Sequence, residues 1–298
     1  MKRTSSRLGI EILESRTVPA VGLCNGVLTI DGDIGADTIV VSQAGDNVLV
    51  TLNSVNSLFT LTDVKDVRIN GGLSDDTITY TLDKNVTISS GDGNDTITAA
   101  GILGGGNATI YGGDGNDTIT STATGRASVI GGGGNDTITV SGASSAVISG
   151  GSGNDTITGS TTGLATITGG DGNDTITCNA SGAVIISGDG GNDTITCTTA
   201  GLATITGGTE ADIITSNGTG SAVISGNSGN DTIIGGFGHS NIDGGSGDDI
   251  ITGRGIFGDT LRGGAGADTL TPQGGLSTLY VDLLDNYTTR PGDTVIFV

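Results

Sequence analysis

A six-residue phrase, Gly-Asn-Asp-Thr-Ile-Thr, returns at a fixed distance through the middle of this chain, at residues 115–120, 134–139, 153–158, 172–177 and 191–196. Its aspartate (Asp117, Asp136, Asp155, Asp174, Asp193) advances by 19 residues each time, and the series continues through Asp212 and Asp231. A constant period of this size, with one glycine-rich turn and one carboxylate per unit, signals stacked coils in which each repeat buries its apolar face only against its neighbours. A conventional globular core is not available, because aromatic residues make up 3% of the chain. Small β-branched side chains must fill the interior.

Each unit divides into two strand-like halves. In residues 174–178 (Asp-Thr-Ile-Thr-Cys) the alternation of a strand sends Asp174, Ile176 and Cys178 to one side and Thr175 and Thr177 to the other. Ile176 belongs inside, so Asp174 is expected on the inner side of its turn, with the threonines facing water. In the other half, Ala165 and Ile167 point inward while Thr166 and Thr168 point out, as do their counterparts around Ala203, Ile205, Ala222 and Ile224. No stretch of the array shows helical spacing. The expected fold is all-β: a right-handed parallel β-roll or β-helix solenoid, two short strands per 19-residue coil, capped at both ends.

Charge narrows what the coils do. The 298 residues carry 11 Lys and Arg against 32 Asp and Glu, for a formal net charge of −21. Arg126 is the only Lys or Arg between Lys84 and Arg254, so the chain's own cations cannot neutralise the aspartate column. Nucleic acid is excluded as a partner on the same ground, since phosphate binding needs a basic surface. No apolar run approaches the roughly 20 residues of a transmembrane helix. Strands stack about 4.8 Å apart, so adjacent carboxylates repel by roughly 1 kcal/mol per pair even in water. That repulsion, summed along the column, competes with a folding stability of about 5–15 kcal/mol. Intercalated divalent cations would reverse its sign.

Residues 169–177 (Gly-Gly-Asp-Gly-Asn-Asp-Thr-Ile-Thr) resemble the nine-residue pattern of RTX proteins, Gly-Gly-x-Gly-x-Asp-x-apolar-x. The resemblance implies a calcium-binding repeat in which glycines free carbonyl oxygens to turn inward, the aspartate adds an anionic oxygen, and two stacked turns share one ion. On it, the expected metal residues are Asp76, Asp95, Asp117, Asp136, Asp155, Asp174, Asp193, Asp212, Asp231, Asp249 and Asp268. The turn glycines Gly113, Gly115, Gly132, Gly134, Gly151, Gly153, Gly170, Gly172 and Gly191 join them. Asp212 sits in the weakest copy, where Glu210 replaces a glycine. Plain turn formation accounts for Asn and Asp in general but not for Asp at every sixth position. An EF-hand is excluded, because the flanking helices and the Glu at loop position 12 are missing here.

The opposite turn of each coil reads Thr-Thr-Gly-Leu at 161–164 or Ala-Ser-Gly-Ala at 180–183, so ions are expected along one edge only. Near Gly258, Asp259, Thr260 and Leu261 the second edge briefly takes on the motif. The one-sided 19-residue coil also resembles the calcium-dependent β-helix of a bacterial ice-binding adhesin region. Of the turn threonines in that pattern only Thr209 is present; Asp114, Gly133, Ser152, Asp171, Gly190 and Ser228 hold the other places.

Residues 1–20 differ from everything after them and lack the apolar stretch of a secretory signal. The order Leu8, Glu11, Leu13, Glu14, Arg16, Pro19, Ala20 is similar to the N-terminal export segment of planctomycete extracellular proteins, which implies export. Residues 21–70 contain strand patterns at 27–30, 38–41, 48–52 and 67–69, with Asp37 and Asp76 as degenerate copies about two periods apart; they form an N-terminal cap and opening coils. The solenoid is expected over 71–271. Residues 272–298, rich in large apolar side chains, are expected to cap the open end. An insertion at 102–106 lengthens one step to 22 residues, and the Asp231 to Asp249 step is 18. Cys178 and Cys197 lie one period apart, placed either to bridge or to serve as free core fillers.

An enzyme is not expected: His239 is the sole histidine, the aspartates are equivalent by construction, and acid–base chemistry needs carboxylates in different environments. The expected function is an extracellular calcium-binding repeat protein, secreted or at the cell surface, with calcium as its cofactor and a structural or adhesive role. Its partners would be cell-surface polysaccharide or other surface proteins. The alternative is an ice- or carbohydrate-binding surface on the outward Thr columns, for which plain strand propensity is the competing account.

Overall fold

The computed structural model describes residues 19–102 and 104–298, so most of the segment read as an export signal lies outside the described residues. The chain is all-β: thirty strands and, among the described residues, no helix. They form two sheets of fifteen strands each, laid down alternately as the chain winds. Strands 165–171, 184–190 and 203–209 are successive neighbours in one sheet; 156–161, 175–180 and 194–199 are successive neighbours in the other. All of these pairings are parallel and in register, Ile157 beside Ile176 beside Ile195. About a dozen coils at the strand spacing give a stack roughly 55 Å long.

The interior is a double column of small apolar residues. Ile119, Ile138, Ile157, Ile176, Ile195, Ile214, Ile233 and Ile251 line one sheet, and Ile110, Val129, Ile148, Ile167, Ile186, Ile205, Ile224 and Ile242 face them from the other. Side chains of this size close the space between the two sheets, so a chain almost without aromatics still buries a continuous core. Cys178 and Cys197 are paired in register in the same core, both buried and both free thiols.

The array begins with antiparallel pairing. Strands β1 (Ala20–Cys24) and β2 (Val27–Asp31) form a hairpin that starts one sheet. Strand β3 (Thr38–Ala44) runs into a meander with β4 (Asn47–Leu52) and β5 (Val55–Thr60) that starts the other. Strand β6 (Asp66–Leu73) then pairs with β2 in parallel, and β7 (Thr77–Tyr80) pairs with β3. The meander is therefore an excursion, and Asp37 and Asp76, 39 residues apart, occupy neighbouring coils. The sequence reading missed β1 and β5.

At the far end, residues 276–298 continue the ladder with parallel strands Thr278–Val281, Asn286–Tyr287 and Thr294–Phe297. Leu279 and Val281 enter the core, whereas Leu283, Leu284 and Phe297 are exposed. Across the insertion at 102–106 Val86 still pairs with Ala108 and Thr96 with Thr118, so both sheets hold register.

Candidate functional site

The glycine-rich turns stack along one edge of the solenoid because their backbone is left-handed at two places. The second and fourth residues of the motif, such as Gly132 (φ 128°) and Gly134 (φ 113°), carry positive φ. A Cβ at these positions would stand 2.0 and 2.1 Å from the carbonyl oxygens of Gly113 and Gly115 in the preceding coil. The degenerate copies solve the same problem by moving into the αL region: Ser74, Asp189, Glu210 and Asn227 have φ between 67° and 77°. Asn and Asp enter that region at modest cost, and Ser225 Oγ donates to Asn227 Oδ1 at 2.7 Å to hold the turn. Thus the glycines read from the motif act first through backbone shape.

The aspartates form a continuous column at the mouth of these turns, each at most 2% exposed. One carboxylate oxygen of each is spoken for. The backbone N–H of Asp136 donates to Oδ1 of Asp155 (2.7 Å), that of Asp155 to Asp174 (2.7 Å), and that of Asp174 to Asp193 (2.7 Å). The ladder runs unbroken from Asp37 to Asp268. A second ladder, which the sequence reading did not foresee, runs beside it in the opposite sense. The N–H of Asn135 donates to Oδ1 of Asn116, and those of Asn154, Asn173 and Asn192 to the Asn one coil earlier. The Asn of Gly-Asn-Asp is thus a coil-to-coil clip.

The other oxygen of each aspartate has no partner. Oδ2 of Asp76, Asp95, Asp117, Asp136, Asp155, Asp174, Asp193, Asp212, Asp231, Asp249 and Asp268 is buried and accepts no hydrogen bond. These are the eleven aspartates singled out by the motif. The column's end members differ. Asp37 Oδ2 accepts the N–H of Asp33 (2.6 Å) and its Oδ1 the amide of Asn53. Past Asp268 the ladder closes on Asp285, whose Oδ2 takes the N–H of Asp282 (2.7 Å). The orphan oxygens therefore belong to the interior of the stack alone.

Ten of the eleven orphan oxygens point at the first glycine of their own turn, a residue the sequence reading left out of the site; in the Asp95 turn that place is held by Ser90. A Cβ on Gly131 would stand 2.1 Å from Asp136 Oδ2 and 2.6 Å from the carbonyl oxygen of Gly150 in the next coil; on Gly169 it would meet Asp174 Oδ2 at 2.2 Å and Gly188 O at 2.7 Å. The missing side chain thus leaves a recess bounded by a carboxylate oxygen and a carbonyl oxygen. The only signal in the sequence was the recurrence of glycine at this place; the structure shows that it is not needed there for a positive φ.

Burial makes the column electrostatically unfavourable as it stands. It pushes the carboxyls of Asp76, Asp136, Asp193, Asp212 and Asp249 up to about 7, and those of Asp117 and Asp174 to about 6, against a backbone hydrogen bond that pulls down and neighbouring aspartates that push up further. Asp95, Asp155, Asp231 and Asp268 are raised by the same cause. Among the described residues the only ion pairs are Arg262–Asp243 and Arg290–Asp293, so no Lys or Arg neutralises the column. Nor do three or more His, Cys, Asp or Glu side chains cluster anywhere in them. Any cation here must draw on carboxylates and backbone carbonyls together. All the donors are oxygens, which suits a hard divalent cation and neither a thiolate- nor an imidazole-seeking metal.

The arrangement defines a class: a parallel β-solenoid with a carboxylate-lined, glycine-turned edge. The family model for the RTX calcium-binding nonapeptide repeat matches residues 80–101, 102–123, 124–144, 140–161, 163–177, 180–196, 225–255 and 254–275, more than half of the chain. The chain belongs to that family, and it is a calcium-binding repeat protein. No curated protein matches it. The matches leave out 197–224, which holds the weakest copy, yet Asp212 keeps its place in the ladder between Asp193 (2.8 Å) and Asp231 (2.8 Å). Glu210, in the glycine's position there, accepts the N–H of Gly191 at 3.0 Å. His239 is an exposed turn residue whose Nδ1 meets Gly258 O at 2.7 Å. Among the described residues no helix is long and apolar enough to cross a membrane.

Proposed function

We propose that the protein is an extracellular calcium-dependent spacer with a structural or adhesive role at the cell surface, and that it is not an enzyme. Calcium ions would lie in a row along the Asp edge, each held by the orphan Oδ2 atoms of the column and by turn carbonyls such as those of Gly131, Gly150, Gly169 and Gly188. The ion supplies a divalent charge that turns the repulsion of the stacked carboxylates into attraction between coils. The observation that carries this reading is the single line of eleven buried carboxylate oxygens without a donor. Such oxygens are costly to bury unpaired, so coil stacking and ion binding form one equilibrium. Export is favoured by family and by the need for calcium well above its intracellular level, given sites assembled only on folding. The reading as a non-enzyme rests on the equivalence of the aspartates.

Circular dichroism of the chain with excess chelator and with millimolar calcium, paired with equilibrium dialysis, tests the reading. A β signal weakened in chelator and restored by calcium, with several ions bound per chain, is expected; a chain that keeps its full β signal and binds no calcium would defeat it.

A second reading is favoured by one observation. Two unbroken in-register threonine columns run along the outer face of one sheet, Thr77 through Thr194 and Thr79 through Thr215, a regular array of hydroxyl and methyl groups suited to ice or carbohydrate. An ice-recrystallisation assay and a glycan array distinguish it from the spacer.

A further inference from the structure

One turn of the column departs from the others at the position that forms the recess. The Asp95 turn reads Ser90-Gly91-Asp92-Gly93-Asn94-Asp95, with serine where the turns of Asp76, Asp117, Asp136, Asp155, Asp174, Asp193, Asp212, Asp231, Asp249 and Asp268 carry glycine. Ser90 is fully buried. Its side chain stands in the space the glycines leave open, and its hydroxyl donates to Gly112 O at 2.7 Å. Gly112 O is the counterpart of Gly131 O and Gly150 O, the carbonyls that bound the recess in the following coils. The hydroxyl also lies beside the Asp95 carboxyl and offsets part of the upward push of burial there. In this coil alone, a side chain stands in the gap across which carboxylate and carbonyl elsewhere face each other.

We propose that Ser90 closes the recess between Asp95 and Gly112, so that the row of calcium ions is interrupted at this coil and the chain binds one ion fewer than its motif copies indicate. The proposal rests on the calcium reading above. Its physical content is exclusion: the serine Cβ and Oγ fill a gap in which a Cβ on the equivalent Gly112 would stand 2.2 Å from Asp117 Oδ2 and 2.5 Å from Gly131 O. A cation with ordinary calcium–oxygen distances of about 2.3–2.6 Å cannot share that volume. The hydroxyl proton takes over part of the ion's task by satisfying the carbonyl. The break falls beside the 22-residue step from Asp95 to Asp117, so the coil with the plugged turn is also the one with the enlarged opposite edge.

Calcium stoichiometry of the full chain, read by native mass spectrometry and by equilibrium dialysis with metal analysis, tests the proposal. Ser90→Gly should bind one more ion than the wild type, and Gly131→Ser, which adds a second plug two coils further on, one fewer. The backbone at this position accepts a side chain, as Ser90 shows. Should Gly131→Ser fail to give the β signal in saturating calcium, the Ser90→Gly count decides alone. An unchanged or lower count in Ser90→Gly, or an unchanged count in folded Gly131→Ser, overturns the proposal. A wild type and variants that all bind no calcium would instead sink the calcium reading itself.

Discussion

The two edges of the solenoid are built from the same coils and treat their turn oxygens differently. On the edge opposite the Asp column, protein donors meet the carbonyls: Thr199 Oγ1 donates to Gly182 O (2.6 Å), Ser144 Oγ to Gly125 O (3.0 Å), and Thr124 Oγ1 to Ile102 O (3.0 Å). Where hydroxyls run out, guanidinium groups take over. Arg254 donates to Gly235 O (2.8 Å) and Ser216 O (2.6 Å) and lies over the Phe237 ring, and Arg290 donates to Gly274 O and Gly275 O. Even Asp259, the one motif-like carboxylate on this edge, has both oxygens paired, Oδ1 with the N–H of Ser240 (2.8 Å) and Oδ2 with that of Gly255 (2.8 Å). On the Asp edge such donors are scarce: Ser90 Oγ, which donates to Gly112 O (2.7 Å), is the exception among carbonyls that border the orphan carboxylates. What separates the two edges is therefore the supply of internal donors, more than the number of carboxylates.

The sharpest break of this comparison is a matched pair of substitutions. Asp136→Asn keeps an oxygen for the N–H of Asp117 but removes a buried charge. In chelator it should stabilise the residual fold by about 1–3 kcal/mol, the scale of an unpaired buried polar group, while weakening calcium stabilisation. Asp259→Asn, which trades a doubly hydrogen-bonded carboxylate for an amide, should destabilise with or without calcium. Urea titrations in both conditions check the opposite signs.

Next in size is the response to pH. Seven column carboxyls, those of Asp76, Asp117, Asp136, Asp174, Asp193, Asp212 and Asp249, are raised in the fold to about 6–7 from an ordinary value of 3.8, so between roughly pH 4 and 7 the folded state holds more protons than the unfolded one. For the metal-free chain, the stability gained by protonating the column is complete below about pH 4 and is lost as pH rises through about 6–7. Calcium competes for the same oxygens, so its apparent affinity should fall as pH drops from 8 to 6. Chelator melts and calcium titrations at several pH values check both trends; a metal-free fold that strengthens with rising pH would contradict them.

Smaller effects follow on either side. Arg254→Ala removes guanidinium bonds to two carbonyls and should cost about 1–3 kcal/mol, by the same amount in saturating calcium and in chelator at a pH where both are folded. Asn154→Ala removes one clip of the Asn ladder, the bond from the N–H of Asn173, and should cost about 1 kcal/mol without changing the number of ions bound. Thr175→Val, on the outer face, should stay within about 0.5 kcal/mol.

Much of this was legible in the sequence because a solenoid repeats one local decision. The period of 19, the inward Ile and Asp and the outward Thr fixed the sheet faces, and the motif picked out all eleven aspartates that carry an orphan oxygen. The long-range contacts were not legible. Nothing local announced that the 47–60 meander would loop out and leave Asp37 stacked on Asp76, or that Leu283, Leu284 and Phe297 would remain on the surface. Nor did the pattern show that the first glycine of each turn faces the carboxylate of its own coil and the carbonyl of the next.

By itself, then, the order of residues determined the coil: alternation sets which side chains face in, and glycine at fixed places sets where the chain turns. Only the stacking of one coil on another decided which oxygens find a donor and which do not. Hydrogen bonds between coils are spent on Oδ1 and the Asn side chains, and the remaining Oδ2 atoms are left buried in a line. That remainder is a property of neighbouring turns together, which no single repeat contains.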